Sequence, residues 1–313
     1  MPAFGFIQEQ DILALGLNPR EIREAVADAL RQRADGRATL VPKVGVYPPT
    51  GGLFHAMPGA IEGLVVVKWL TMGGTVQPGS PRLKSTILAS DPLSGELLAA
   101  MDGNWLTGVR TAAVTALAAQ RLALPQARSA AFIGAGLQAR AHAEALSDVL
   151  PIDSATVVSG SSASAQAFVE WLGRRGIKAR VADDARDAVA QADIVITCIP
   201  FTGGIKPFVN ASWLKPGAFA SAVDLGRAWI DDSYGAFDRI VTDDLVHTLA
   251  FLETGVVDSP GLFDADLPGL LTQSTLLSAD PATRTLLFAP GVALADAAMA
   301  KLVLDRLGLL SPT

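Results

Sequence analysis

The chain has 313 residues, of which 50% are hydrophobic and 18% charged, with a formal charge of −6 and one cysteine. That length supplies two domains with ample buried core, and the negative balance excludes a nucleic-acid partner, which needs clustered lysine and arginine. A lone Cys198 rules out an internal disulfide framework and reads as an inert core thiol within an apolar strand. The opening Met-Pro-Ala-Phe-Gly-Phe-Ile-Gln-Glu lacks the basic and apolar segments of a signal peptide. No charge-free apolar run is long enough to span a bilayer. The expectation is therefore a cytoplasmic protein with no membrane contact, whose surplus apolar surface is buried between subunits.

In the N-terminal part, Phe6-Ile7 predicts a short strand followed by a turn into a helix. Asn18-Pro19-Arg20-Glu21 predicts a capped helix start, with Ile22, Val26, Ala29 and Leu30 as its apolar face. From Thr39 the pattern changes to strands: Leu40 to Tyr47, Leu53 to Met57, Leu64 to Leu70, Ser85 to Ser90 and Leu97 to Met101. Turn residues between them (Pro48 to Gly52, Gly73-Gly74, Asp91 to Gly95) predict a mostly antiparallel meander. Lys68 interrupts the apolar run Gly63 to Leu70; it either meets an anion or guards a sheet edge. Arg110 lies near the start of an alanine-rich helix that Thr107 is expected to cap. It is a candidate fork for a carboxylate, or an interdomain ion pair. Thr111 follows it on the first turn.

Ala130 to Ile133 reads as a buried parallel strand running into Gly134-Ala135-Gly136-Leu137-Gln138-Ala139, which fits G-x-G-x-x-G/A. Gly134 permits a tight turn, Gly136 lets backbone approach a pyrophosphate, and Ala139 lets the helix sit close on the sheet. That helix, roughly Ala139 to Leu150, aims its N-terminus at the phosphates. The next strand, Ala155 to Ser159, leads into Ser159-Gly160-Ser161-Ser162, with neither an acid for the ribose hydroxyls nor an arginine for a 2′-phosphate; NAD and NADP both stay open. A helix from Ser164 to Arg175, a strand from Lys178 to Ala182 and a helix from Ala185 to Ala192 follow. A buried strand from Asp193 to Pro200 then ends in the loop Phe201-Thr202-Gly203-Gly204. Further strands are expected at Ala218 to Val223 and Asp238 to Thr242. Asp224, at a strand end, is either an acid–base group or a turn cap. Asp231-Asp232 and Asp243-Asp244 read as solvated helix starts. His55, His142 and His247 are scattered, with His142 on the outer part of its helix, so no metal site is expected. Thr285 to Lys301 reads as a strand, a Pro290-Gly291 turn and a helix beginning near Val292. Asp296 on that alanine-rich helix is costly unless paired, with either a cationic residue of the functional site or an interdomain arginine.

Met57-Pro58, Lys68, Asp91 to Gly95, Leu106-Thr-Gly-Val-Arg-Thr-Ala-Ala113, Ile133-Gly-Ala-Gly-Leu-Gln-Ala-Arg140 and Gly291-Val-Ala-Leu-Ala-Asp296, in that order, resemble the ornithine cyclodeaminase and mu-crystallin family over nearly the whole chain. The resemblance implies an α/β protein: a Rossmann domain (125–292) plus an α+β substrate-binding and dimerisation domain (1–124 and 293–313) with a mostly antiparallel sheet. It also implies a homodimer whose N-terminal sheets associate, and an active site in the cleft between domains. Lys68 matches the family's active-site lysine and Arg110 its substrate-carboxylate arginine. Lys43 stands where the family has a second arginine, and Met57 joins the expected substrate contacts. The expected cofactor contacts are Thr111, Gly134, Gly136, Leu137, Gln138, Ala139, Ser159, Ser161 and Val292. The cyclodeaminases have an aspartate within Gly-Asp-Cys-Pro-Gly-Lys. The flanking strand here puts Gly226, not Asp224, at that position.

The expected function is that of an NAD- or NADP-dependent oxidoreductase acting at the α-carbon of a small amino or imino acid. Lys68 and Asp224 would be its catalytic groups, and it would be of the ketimine reductase or amino-acid dehydrogenase type. The alternatives are a true ornithine cyclodeaminase and a non-catalytic nucleotide or small-ligand binder. A carbonyl reductase of another kind lacks its Ser/Tyr/Lys arrangement, Tyr47 and Tyr234 being the two tyrosines.

Overall fold

The structure is a computed structural model and describes residues 5–75, 83–201, 204–273 and 276–310. Its elements run β1 (Phe6–Ile7), α1 (Glu9–Ala14), α2 (Pro19–Ala34), β2 (Thr39–Leu40), β3 (Val44–Val46), β4 (Gly52–Ile61), β5 (Leu64–Gly73), β6 (Lys84–Ser90), β7 (Leu97–Asp102) and α3 (Asn104–Leu122). There follow β8 (Ser129–Ile133), α4 (Leu137–Ser147), β9 (Ser154–Val158), α5 (Ser162–Gly173), β10 (Lys178–Val181), α6 (Ala185–Val189), β11 (Ile194–Thr197), β12 (Phe219–Ala222) and β13 (Arg239–Thr242). The chain closes with α7 (Leu245–Leu252), β14 (Ala265–Asp266), α8 (Leu267–Thr272), β15 (Thr285–Leu287) and α9 (Ala293–Arg306). Two compact units emerge: residues 1–110 with 291–313, and residues 111–290, so that the division falls inside α3 rather than after residue 124.

In the first unit, α2 starts as its sequence predicts. The Asn18 side chain accepts from the Glu21 N–H, the Glu21 carboxylate accepts from the Asn18 N–H, and Pro19 occupies the first helical position. The sheet order is β1-β7-β6-β5-β4-β2, with β3 also on β4; apart from the parallel β1–β7 pair it is antiparallel. The expected single strand from Leu40 to Tyr47 divides into β2 and β3, because Pro42 has no N–H to give a ladder. On β4 the alternate residues Leu53, His55, Met57, Gly59 and Ile61 are buried; on β5 the buried set begins Leu64, Val66, Lys68. Against that inner face lies α9, a helix enclosed on nearly every side. Helix α3 begins at Asn104, whose N–H donates to the Asp102 carboxylate. Thr107 is therefore inside the first turns rather than a cap, and its hydroxyl pairs with that of Ser85 at 3.0 Å.

The second unit is a parallel sheet in the order β10-β9-β8-β11-β12-β15-β13-β14. From β8 the chain moves outward through β9 to β10, then returns to β11 on the opposite side of β8. The carboxyl ends of β8 and β11 thus form the switch point where open α/β sheets bind ligands. Several expectations change here. Helix α4 begins at Leu137 and ends at Ser147, earlier than expected at both ends; α5 begins at Ser162, and α6 stops at Val189. Cys198 falls one residue beyond β11 and is half-buried; burial raises its thiol pKa. Asp243 and Asp244 are buried, not solvated: Asp244 caps α7 through the His247 N–H, and Asp243 accepts from Thr248 at 3.4 Å. Asp231 and Asp232 are exposed at the start of a short 3-10 helix, as expected. Of the loop expected at 201–204, Thr202 and Gly203 lie outside the described residues.

Candidate functional site

In the first unit the ladder puts Met57, Lys68 and Ile87 side by side on the inner face. Lys68 is fully buried on an interior strand, which removes the edge-guard reading. Its ammonium donates to Asp296 Oδ1 at 2.8 Å, with Oδ2 also at 2.8 Å. Arg110 Nε lies 3.1 Å from the same Oδ1, an ion pair within this unit. Two buried cations thus share one buried carboxylate. The terminal nitrogens of Arg110 lie along Gly291, where a Cβ would come within 3.0 Å of Nη1 and 3.3 Å of Nη2. Burial, reinforced by the Arg110 charge and opposed by Asp296, brings the Lys68 pKa down to about 8. His55, two residues from Met57 on the same face, bonds the Tyr47 hydroxyl at 3.0 Å. Burial and the Lys43 and Lys68 charges push its pKa down to about 4, so it is neutral at physiological pH. Lys43 is half-buried between β2 and β3, and Val292 is buried at the N-cap of α9.

In the second unit the glycine turn follows β8 directly. Gly134 has φ +122°, and its N–H donates to Val158 O at 2.8 Å. A Cβ there would lie 2.6 Å from Cys198 O. Gly136 is the N-cap of α4 and offers no side chain to the first-turn amides, while nothing lies within 4 Å of where its Cβ would be. Leu137 is exposed, Ala139 is buried against the sheet, and Gln138 Oε1 is buried with no hydrogen-bond partner among the described residues. Uncapped helical amides, an open Cβ position and a buried acceptor awaiting a donor fit a bound dinucleotide. Ser161 caps α5 through the Ser164 N–H at 3.3 Å, and its own N–H donates to Ser159 Oγ. Thr111 is half-buried on α3.

His142 is fully buried, not on the outer part of its helix. Its Nδ1 meets Gln138 O at 2.8 Å, and Nε2 meets the Thr115 hydroxyl at 3.0 Å, which in turn meets Ser221 Oγ at 2.9 Å. Burial lowers its pKa to about 4. The neutral ring therefore donates from Nδ1 to the Gln138 carbonyl and accepts at Nε2, tying the first turn of α4 to α3 and β12. Asp224 is buried in the turn after β12 and accepts from Thr197 Oγ1 at 2.9 Å and from the Ile199 N–H at 3.4 Å. Burial raises its pKa to about 6. The next residue, Leu225, has φ +59° and is the one non-glycine residue with positive φ among the described residues, marking a strained turn at this strand end.

Sequence reasoning had not placed His55, Gly291 or the Thr115–His142–Ser221 chain at these sites. For His55 the signal was available: it shares the period-two phase of Met57 and so the face that carries Lys68. Among the described residues no cluster of potential metal ligands occurs, and no helix is long and apolar enough to cross a membrane.

Residues 8–232 match the model of the ornithine cyclodeaminase/mu-crystallin family. The chain is 32% identical over 264 residues to the ketimine reductase mu-crystallin of Macropus fuliginosus, covering 81% of this chain and 80% of that one. It is also similar to the solved structure of Thermococcus litoralis Δ1-pyrroline-2-carboxylate reductase in complex with NADH and L-proline (TM-score 0.85, 25% identity, 98% and 99% of the two chains). An archaeal alanine dehydrogenase dimer with bound NAD is similar as well (TM-score 0.86, 27% identity, 99% and 98%). With the parallel sheet, the glycine turn and the buried lysine–arginine pair already in view, the chain belongs to the ornithine cyclodeaminase/mu-crystallin family.

Proposed function

We propose that this protein is an NAD(P)-dependent oxidoreductase acting at the α-carbon of a small amino or imino acid, of the ketimine reductase or amino-acid dehydrogenase type. The observation that carries the reading is the pair of buried cations, Lys68 and Arg110, sharing the single carboxylate of Asp296. Such a cluster holds one positive charge in excess, and a substrate carboxylate balances it. Arg110 presents the planar fork that grips a carboxylate by two parallel bonds. Lys68, with its pKa near 8, carries a transferable proton at neutral pH. Asp224, near 6, is the second acid–base candidate. The nucleotide would be held by the amides of Leu137 and Gln138 beyond Gly134 and Gly136. When bound, its nicotinamide supplies the hydride. The relatives solved with NADH or NAD support that choice of cofactor. Gly226 at the cyclodeaminase aspartate position, together with the missing Cys-Pro segment, favours redox turnover over ornithine cyclisation.

The test is titration of NADH and NADPH by fluorescence, followed by turnover with Δ1-pyrroline-2-carboxylate and with L-ornithine. Oxidation of the reduced nucleotide by the cyclic imine is the expected result. Proline and ammonia from ornithine with no net change in nucleotide would replace this reading with the cyclodeaminase one. Nucleotide binding with no turnover of any amino or imino acid would replace it with a binding protein. Arg110→Lys, which keeps the charge but loses the fork, is expected to raise KM for the imino acid by roughly 10–100-fold, the worth of one charge-assisted hydrogen bond. The KM for nucleotide should stay unchanged.

The same reading includes a homodimer formed through the first unit's sheet. Its outer face carries a row in register, Phe6, Ala100, Leu88, Val67 and Pro58, flanked by Trp69, Ala56 and Val44. Phe6, Leu88, Trp69 and Val44 are 44%, 42%, 42% and 62% exposed in the single chain, an apolar face of the kind that subunit contacts cover. Placing aspartate at both Trp69 and Leu88 is expected to convert a dimer to a folded monomer in light scattering coupled to size exclusion. A double variant with unchanged mass would remove this face from the interface.

A further inference from the structure

We propose that Asp296 is a positioning residue: its buried carboxylate holds the Lys68 ammonium and braces the Nε edge of Arg110, so that the guanidinium's terminal nitrogens lie along Gly291. This proposal rests on the functional reading above. Three elements converge on that carboxylate. Helix α9 supplies it from a position with no solvent exposure, β5 brings Lys68 to 2.8 Å, and α3 brings Arg110 to 3.1 Å. Among the described residues the surroundings of Lys68 offer no other anion: β4 presents Met57 directly opposite and His55 nearby, which is neutral, and β6 presents Ile87. Arg110 opposes protonation of Lys68, and Asp296 favours it. The carboxylate therefore sets two properties together, the proton affinity of Lys68 and the orientation of Arg110. It reaches both by direct contact from a helix that packs on β4 and β5.

Gly291 completes the device. With φ +93° it forms the turn into α9, and any side chain there would enter the space along Nη1 and Nη2. The turn that starts the helix bearing Asp296 is thus also the surface against which the fork is set.

The experiment compares wild type with Asp296→Asn, which keeps shape and removes charge. The alkaline limb of kcat/KM for imine reduction is expected to move to lower pH by roughly one to three pH units, the effect of losing an opposite charge within contact distance. A second readout needs no substrate. Unfolding free energy in urea, followed from pH 6 to pH 11 (about the range in which a buried lysine titrates), should begin its rise at lower pH in the variant. If wild type turns over no amino or imino acid but the onset of that rise moves, the functional reading fails and the Asp296–Lys68 linkage stands. If neither the limb nor the onset moves, the proposal is overturned. Should Asp296→Asn not fold, Asp296→Glu decides: it keeps the charge but sets the carboxylate one methylene further out. The expected result is a KM for the imino acid raised at least several-fold with the KM for nucleotide unchanged; a wild-type KM overturns the brace.

Discussion

Gly134→Ala is expected to lose nucleotide binding and to destabilise the second unit by about 2–5 kcal/mol, the combined cost of a strained backbone and an overpacked contact. The position has φ +122°, which an L side chain rarely adopts. The added methyl would also lie 2.6 Å from the Cys198 carbonyl oxygen and 2.8 Å from its Sγ. Neither neighbour gives way easily. The Cys198 N–H is bonded to Ile133 O at 2.8 Å and the Gly134 N–H to Val158 O at 2.8 Å, so the turn is pinned to β8 and β9 at once. Relief must come from the turn itself, which displaces the amides of Leu137 and Gln138 that would hold the phosphates. Gly136→Ala is the matched control. Its φ is −89° and nothing lies within 4 Å of the new methyl, so the fold should tolerate it while the close approach of a pyrophosphate does not. Urea titration and NADH fluorescence titration of the two variants check this. Wild-type nucleotide affinity in Gly134→Ala would sink the assignment of this turn.

The glycine turn was legible because its chemistry is local: a strand, two glycines and a helix start sit within a dozen residues, and each choice is dictated by backbone geometry. The Asn18–Glu21 capping box was legible for the same reason. So was the antiparallel meander, whose alternation survives in β4 and β5. What could not be read were pairings over distance. Asp296 finds Lys68 across 228 residues of sequence; beforehand its partner could be narrowed to a cationic active-site residue or an interdomain arginine, but not named. His142 looked like an outward helical position because its helix alone does not show Thr115, 27 residues earlier, closing over it. Asp243 and Asp244 looked solvated because paired carboxylates usually are. Here Asp244 caps α7 while Asp243 takes hydroxyl donors, and hydrogen bonds of that kind make burial tolerable. The boundary shifts have smaller causes: α3 starts early because Asp102 caps from outside the alanine-rich run, and α5 because Ser161 does.

Lys68→Met is expected to separate catalysis from stability. Methionine fills a similar volume on the inner face, and Asp296 keeps Arg110 as a partner, so the variant should fold with wild-type secondary structure. Activity should fall by roughly 10²–10⁴-fold, the usual worth of a positioned acid–base group. The pH dependence gives the sharper signature. The Lys68 pKa is lowered from 10.5 to about 8, so between those values the unfolded chain binds the proton that the folded chain has released. Wild-type stability therefore rises with pH across that window, by at most about 3 kcal/mol. The charged form is the penalised one, and its full cost is present below pH 8. The methionine variant has no such proton, so this rise should be missing and its stability at neutral pH should equal or exceed that of wild type. In turnover, wild-type kcat/KM should decline above pH 8 as Lys68 loses its proton, and the residual activity of the variant should lack that limb. Urea unfolding at several pH values and a pH–rate profile for imine reduction measure both halves. A Lys68→Met protein that reduces the imine at the wild-type rate with the same alkaline limb would remove Lys68 from the chemistry. A flat wild-type stability profile would instead mean that the buried ammonium is held as firmly as a free one, with Asp296 fully offsetting burial and the Arg110 charge.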